Sequence, residues 1–317
     1  MATLVPRAAK RLRLSSSSTI CPRCTSQLAR RAFTTTQASR APEESSKTTH
    51  FGYQTIPESM KESRVAGVFS SVASSYDRMN DLMSLGIHRL WKDYFVRTLN
   101  PGSPPNTSSG PWTILDIAGG TGDIAIRMLD HATTVNKDHK TVVTISDINP
   151  SMLAEGEKRL RQTPYHAQGR VSFLEANAER LDTIPSNSID LYTVAFGIRN
   201  FTDKQRALDE AFRVLKPGGT FACLEFSKVQ YGLMDAVYKR WSFSAIPLIG
   251  QVVAGDRDSY QYLVESIDRF PSQEEFAGMI KKAGFILPGE GLGGEEQGWV
   301  NLTGGIAAMH RGVKPVR

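Results

Sequence analysis

Cysteine is scarce in this chain. Three occur in 317 residues. Two of them, Cys21 and Cys24, form a lone C-x-x-C with no second Cys or His pair beside it, which argues against a structural zinc site. A chain of this length buries enough apolar surface to do without disulfides, and Cys223, inside an apolar run, reads as a buried core thiol. Long apolar runs are also missing. The best candidate, Phe243 to Ala254, is too short to span a bilayer and is interrupted by Pro247, Gly250 and Gln251. Acidic residues are absent from residues 1–42, which carry seven Arg and one Lys. Those eight charges account for more than the total of +6 and leave the rest of the chain at −2. The basicity is therefore confined to the N-terminus, and with no basic stripe on the body no nucleic-acid partner is expected.

The acid-free N-terminus is rich in Arg, Ser and Thr, the pattern of a mitochondrial transit peptide over residues 1–33; a disordered basic arm is the alternative. Arg31-Ala32-Phe33 followed by three threonines resembles a matrix processing site. Residues 34–58 read as a polar linker, and residues 59–313 as the folded domain. Within it, Val65, Val68, Phe69 and Val72 recur at helical spacing. After a Pro/Ser/Gly-rich loop over 100–111, strand and helix signals alternate. Strands are expected at 112–117, 141–146, 171–174, 189–196 and 220–226, and helices from Gly122, from Pro150 with Asn149 as N-cap, and from Lys204 to a stop at Pro217-Gly218-Gly219. This rhythm predicts an α/β fold, a Rossmann-like parallel sheet covered by helices on both faces. Residues 231–270 break the rhythm as a helical insertion. The segments 285–287 and 299–309 are expected to close the sheet.

Ligands of such sheets bind beyond the carboxyl ends of the strands. Here the first strand runs into Asp116-Ile117-Ala118-Gly119-Gly120-Thr121-Gly122. Gly120-x-Gly122-x-x-Ala125 satisfies a dinucleotide-binding pattern, which is weak evidence by itself. Asp116 tips the choice, because a carboxylate at this point suits the cationic amino group of S-adenosylmethionine, whereas a dinucleotide brings no such cation. Asp147, ending the second strand, can accept two ribose hydroxyl hydrogen bonds, and Asn177-Ala178 after the third can read an adenine edge or simply form a turn. S-adenosylmethionine is the expected cofactor. A nicotinamide oxidoreductase and an inactive scaffold of the same fold remain as other readings.

A narrower resemblance rests on five segments. Phe69-Ser70-Ser71-Val72-Ala73-Ser74-Ser75-Tyr76-Asp77-Arg78-Met79-Asn80-Asp81 and Phe196-Gly197-Ile198-Arg199-Asn200 are similar to two signatures of the ubiquinone/menaquinone biosynthesis C-methyltransferases. Arg213–Gly219, Tyr260–Ile267 and Asn301–Ile306 match as well, so the resemblance covers about residues 64–313. It implies S-adenosylmethionine as methyl donor, a polyprenylated benzoquinol as acceptor, a seven-stranded sheet, and cofactor contacts from Thr121, Asp147, Asn177 and Ala178. It also implies a peripheral position on the matrix side of the mitochondrial inner membrane, in a complex with other ubiquinone-synthesis proteins. Two positions depart from common relatives: Ala118 stands where many methyltransferases have Gly, and Ala195 where relatives often have Ser.

Methylation of a ring carbon needs a neighbouring hydroxyl to lose its proton and the resulting phenolate to be stabilised. Arg199 and Asn200, just after the fourth strand, suit stabilisation, Tyr76 suits orienting the hydroxyl, and a water held by Arg199 or the Asp77 carboxylate suits taking the proton. A guanidinium stays protonated, so Arg199 is no literal base. A salt bridge anchoring the loop is the plainer role for Arg199, and helix packing with an N-cap for Tyr76-Asp77. His88, on an amphipathic helix, reads as structural. Trp241, Phe243, Ile246, Leu248, Ile249, Val252 and Val253 in the insertion suit either a polyprenyl groove, or core packing and a homodimer contact.

Overall fold

Alternating apolar residues place one strand, Thr113–Ile117, at the centre of the molecule. Ile114 packs on one side of the sheet, and Leu115 and Ile117 on the other, as a pleated strand with both faces covered requires. The computed structural model describes residues 47–72, 80, 81, 84, 86–103, 110–248, 251, 257–289 and 298–316. The presequence with its Cys21 and Cys24, the Tyr76-Asp77 pair, and Ile249, Val252 and Val253 lie outside the described residues.

Among the described residues the strands are β1 (Thr48–Phe51), β2 (Gln54–Pro57), β3 (Thr113–Ile117), β4 (Val142–Asp147), β5 (Val171–Glu175), β6 (Ile189–Ala195), β7 (Leu215–Phe226), β8 (Trp299–Leu302) and β9 (Ala307–Val313). The principal helices are α1 (Glu58–Val72), α2 (Ile87–Leu99), α3 (Asp123–Thr134), α4 (Pro150–Leu160), α5 (Lys204–Val214), α6 (Gly232–Arg240), α7 (Arg257–Arg269) and α8 (Gln273–Lys282). Seven strands form the main sheet in the order β5-β4-β3-β6-β7-β9-β8. All pairings are parallel except those of β9, which runs antiparallel to both β7 and β8. The expected α/β architecture, a seven-stranded sheet with helices on both faces, is what the chain adopts. The order reverses between β3 and β6, so a crevice opens at the carboxyl ends of these two strands.

Local sequence explains the helix starts. The Asn149 side chain accepts the amides of Ser151 and Met152, with Pro150 in the first helical position of α4, a cap of about 1 kcal/mol. Asp203 caps α5 and a Ser272/Glu275 capping box opens α8.

Three expectations need correcting. Part of the stretch read as a linker, 34–58, is the β1–β2 hairpin, turned at Gly52-Tyr53 with Gly52 at φ +57°; Phe51 stacks on Tyr262 at 4.2 Å and Ile56 is buried, so a polar segment is held down by two apolar anchors. Pro217-Gly218-Gly219 does not precede a strand but lies within β7, where the register against β6 shifts between Ile189 and Leu191. The 299–309 segment is split by a turn at Thr303–Gly305 into β8 and the start of β9, and 285–287 contributes only the Ile286–Val313 bridge. Cys223 is fully buried in β7.

Candidate functional site

The floor of the crevice is the turn from β3 into α3. Gly122 stands at the head of α3 with φ +75°, and a Cβ there would lie 2.4 Å from Leu160 Cδ1, so only glycine fits. Ala118 also has a positive φ, +51°, which accounts for the frequency of Gly at its position in related turns. Asp116 is 1% exposed. Its Oδ1 accepts the Thr193 hydroxyl at 2.7 Å, from its register partner on β6, while Oδ2 has no protein partner. Burial pushes this carboxyl up to about 7, the Thr193 bond opposing it and the nearby Asp123 and Asp147 adding to it. A buried carboxylate oxygen lacking a donor is costly, and an ammonium group arriving in the crevice would relieve it.

Asp147 ends β4 beside that turn. Its Oδ2 accepts the Gly120 amide at 3.1 Å and Oδ1 the Asn149 amide at 2.9 Å. Burial raises its pKa to about 6 against those amides and that of Ile148. The carboxylate thus fixes the glycine turn while retaining lone pairs for hydroxyl donors. After β5, Asn177 Oδ1 accepts the Glu179 amide at 2.8 Å, a turn-forming bond that leaves its side-chain NH2 for a ligand. Glu179 in turn accepts the amides of Thr202 at 2.7 Å and Asp203 at 3.0 Å, tying this loop to the one after β6.

The opposite wall is the Phe196–Asn200 turn. Phe196 has φ +57°, an uncommon conformation for a bulky residue and one that clusters at functional sites. A Cβ on the neighbouring Gly197 would lie 2.4 Å from that of Ala118; the two loops touch across the crevice. Asn200 is buried and its Oδ1 accepts the Tyr262 hydroxyl at 2.9 Å. Arg199, also buried, pairs with Glu225 at 2.8 Å, donates to the Phe196 carbonyl and lies over the Phe226 ring.

Asp116, Gly120, Thr121, Asp147, Asn177, Ala178 and Asn200, all singled out in the sequence, line one cleft of about 1120 Å³, open solvent included. Arg199 faces a second cavity behind its turn. Tyr76 and Asp77 lie outside the described residues, so their orienting and proton-accepting roles have no geometry here. His88 is buried on Ser84 at 2.8 Å and burial lowers it to about 4, in keeping with a structural role. Three residues escaped the sequence reading. Lys92 lines the cleft paired to Asp123 at 2.9 Å, Asn80 lines it with a buried Nδ2 that lacks a protein partner, and Glu225 neutralises Arg199. A single Glu in the otherwise apolar run Phe221–Phe226 is the signal that could have pointed to a buried pair. Among the described residues no cluster of His, Cys, Asp or Glu is arranged to hold a metal ion.

Comparison with known proteins agrees with this geometry. Residues 58–314 match the ubiE/COQ5 methyltransferase family. The chain is 55% identical over 280 residues to the mitochondrial 2-methoxy-6-polyprenyl-1,4-benzoquinol methylase of Schizosaccharomyces pombe, covering 88% of each chain. It is 50% identical over 264 residues to the ubiquinone/menaquinone biosynthesis C-methyltransferase UbiE of Brucella suis, covering 83% of this chain and 90% of that one. Among solved structures, a possible exported protein from Bordetella parapertussis superposes with a TM-score of 0.51 at 12% identity, over 72% of this chain and 68% of that chain, a likeness of fold.

Proposed function

Given that the chain belongs to the ubiE/COQ5 methyltransferase family, we propose that it methylates a ring carbon of 2-methoxy-6-polyprenyl-1,4-benzoquinol with S-adenosylmethionine, a step of ubiquinone synthesis. The observation that carries the cofactor assignment is the buried Asp116 Oδ2 without a partner at the floor of the cleft. Asp116 receives the donor's amino group, Asp147 its ribose hydroxyls, and Asn177 with the Ala178 backbone its adenine edge. Bound S-adenosylmethionine supplies a methyl group already attached to its leaving group. The protein's part is therefore chiefly positioning.

On the acceptor side Asn200 is the residue aimed at the cleft. With its Oδ1 taken by Tyr262, its NH2 is oriented as a donor to the ring oxygen that becomes phenolate. Arg199 acts one step back, holding the Phe196 carbonyl and, through the turn, Asn200. Tyr76 and Asp77 are assigned the orienting and proton-accepting roles on family resemblance.

The exposed side of α6 supports a peripheral membrane position. Leu233, Val237 and Trp241 recur one turn apart and are 84%, 64% and 37% exposed, with Lys239 and Arg240 nearby. Among the described residues no helix is long and apolar enough to cross a membrane. An apolar stripe beside basic residues suits an interface where a polyprenyl tail resides. The inner face of the inner mitochondrial membrane is the proposed location, reached by cleavage of a presequence over residues 1–33, and other ubiquinone-synthesis proteins and a second copy of the chain are the proposed partners. Transfer of labelled methyl to a short-tailed 2-methoxybenzoquinol kept reduced tests the central claim; absence of labelled product would overturn it.

A further inference from the structure

Behind the Ile198–Asn200 turn lies a second cavity of about 530 Å³, open solvent included, closed on one side by the β1–β2 hairpin. Its lining holds Lys61, Lys204, Arg199 and Arg269 together with the hydroxyl residues Thr49 and Thr202, and no carboxylate. Lys61 is 4% exposed. Its ammonium donates to the Phe201 carbonyl at 3.0 Å, and the ammonium of Lys204 donates to the same oxygen at 3.2 Å. Two like charges thus converge on one neutral acceptor, an arrangement that an anion seated between them would favour.

Carboxylates lie outside the cavity lining: Glu179 and Glu58 favour the charged form of Lys61, and Glu225, Glu179 and Asp203 that of Lys204. Glu225 is paired with Arg199, Glu179 accepts the amides of Thr202 and Asp203, and Glu265 accepts from Tyr53 and Gln261. Burial lowers both lysines, Lys204 to about 8, with Lys61 lowering Lys204 further. Arg269 closes the rim over the Tyr53 ring.

We infer that this cavity is a binding site for a phosphate dianion, either free or as the monoester head of a lipid. A buried ammonium (Lys61) and a half-buried one (Lys204), each with one hydrogen bond to the Phe201 carbonyl, a guanidinium at the rim and two hydroxyls match the acceptor-only oxygens of phosphate. The site is distinct from the methyl-transfer cleft but shares Thr202 with it.

The test uses full-length protein. Inorganic phosphate is titrated calorimetrically at neutral pH against chloride of equal ionic strength. One saturable site per chain is expected, and Lys61→Gln with Lys204→Gln weakens it about tenfold or more. Should that double variant not fold, Arg269→Gln on the rim and a labelling experiment on the unaltered protein replace it. In the labelling experiment, phosphate slows acylation of Lys61 and Lys204 while the exposed Lys158 reacts unchanged. Phosphatidylcholine vesicles with and without phosphatidic acid form the second arm. Protection by the acidic vesicles alone assigns the lipid head, and protection by inorganic phosphate assigns the free anion. No protection and no saturable heat from either probe, or undiminished binding in the variants, overturns the site.

Discussion

Gly197 and Ala118 hold the two halves of the cofactor cleft in contact, for a Cβ on Gly197 would stand 2.4 Å from the Ala118 Cβ. Both lie at ends of neighbouring strands, β6 and β3, and Ala118 itself has a positive φ. The close approach of these two loops therefore depends on one absent methyl group.

Gly197→Ala must push these loops apart. It is expected to cost about 1–3 kcal/mol of stability, the usual range for overpacking, and to weaken S-adenosylmethionine binding about tenfold. Calorimetry of binding alongside thermal melts checks both; unchanged affinity would show that the contact does not shape the cleft.

Asp116 sets a pH dependence. Its carboxyl is raised by burial to about 7 from an ordinary 3.8. The folded apo-protein therefore holds a proton there that the unfolded chain has lost, and stability falls as pH rises from about 4 to about 7. A cationic ligand reverses the preference, so cofactor affinity rises over the upper part of that range. Asp116→Asn is expected to flatten both profiles, measured as melting temperature and dissociation constant between pH 5.5 and 7.5. Parallel profiles for the variant and the parent would remove Asp116 from the ligand site.

Arg199 and Glu225 form a fully buried pair. Removing the arginine alone strands a carboxylate, at a cost of about 3–5 kcal/mol, and lowers turnover more than cofactor affinity. Arg199→Ala combined with Glu225→Gln is expected to restore much of the stability. Turnover that recovers with it means that Arg199 serves only to neutralise Glu225; turnover that stays low means that its hold on the Phe196 carbonyl is needed to place Asn200.

The α6 stripe offers a test free of the active site. Leu233→Glu with Val237→Glu is expected to abolish sedimentation with vesicles while leaving S-adenosylmethionine affinity unaltered. Unchanged vesicle binding would leave the stripe without its proposed role.

Much of this was legible in the chain. Continuous apolar runs bounded by turn residues gave away β3, β4 and β6, and the carboxylates ending two of those strands gave the cofactor side, because a parallel sheet brings all its strand ends to one edge. Long-range pairings were not legible. A salt bridge suits Arg199 from the sequence, but spacing does not say that its partner is Glu225, a strand away. Lys92 reaches the cleft from a helix that precedes the sheet, and its pairing with Asp123 is invisible to spacing. The β1–β2 hairpin looked like a linker because its stability comes from Tyr262 and the ion-rich face of α7, far along the sequence, rather than from its own composition.

The position of β9 fixes an order of assembly. Because among the described residues β8 pairs only with β9, and β9 alone joins it to β7, residues 299–302 have no place in the sheet until residues 307–313 are paired. A chain cut after Leu302 forfeits two strands rather than one and leaves the whole edge of β7 open, a row of unpaired amides inviting a second copy. The pair β8–β9 therefore adds to the edge of β7 as a single hairpin-like unit, and the seventh strand depends entirely on the sixth.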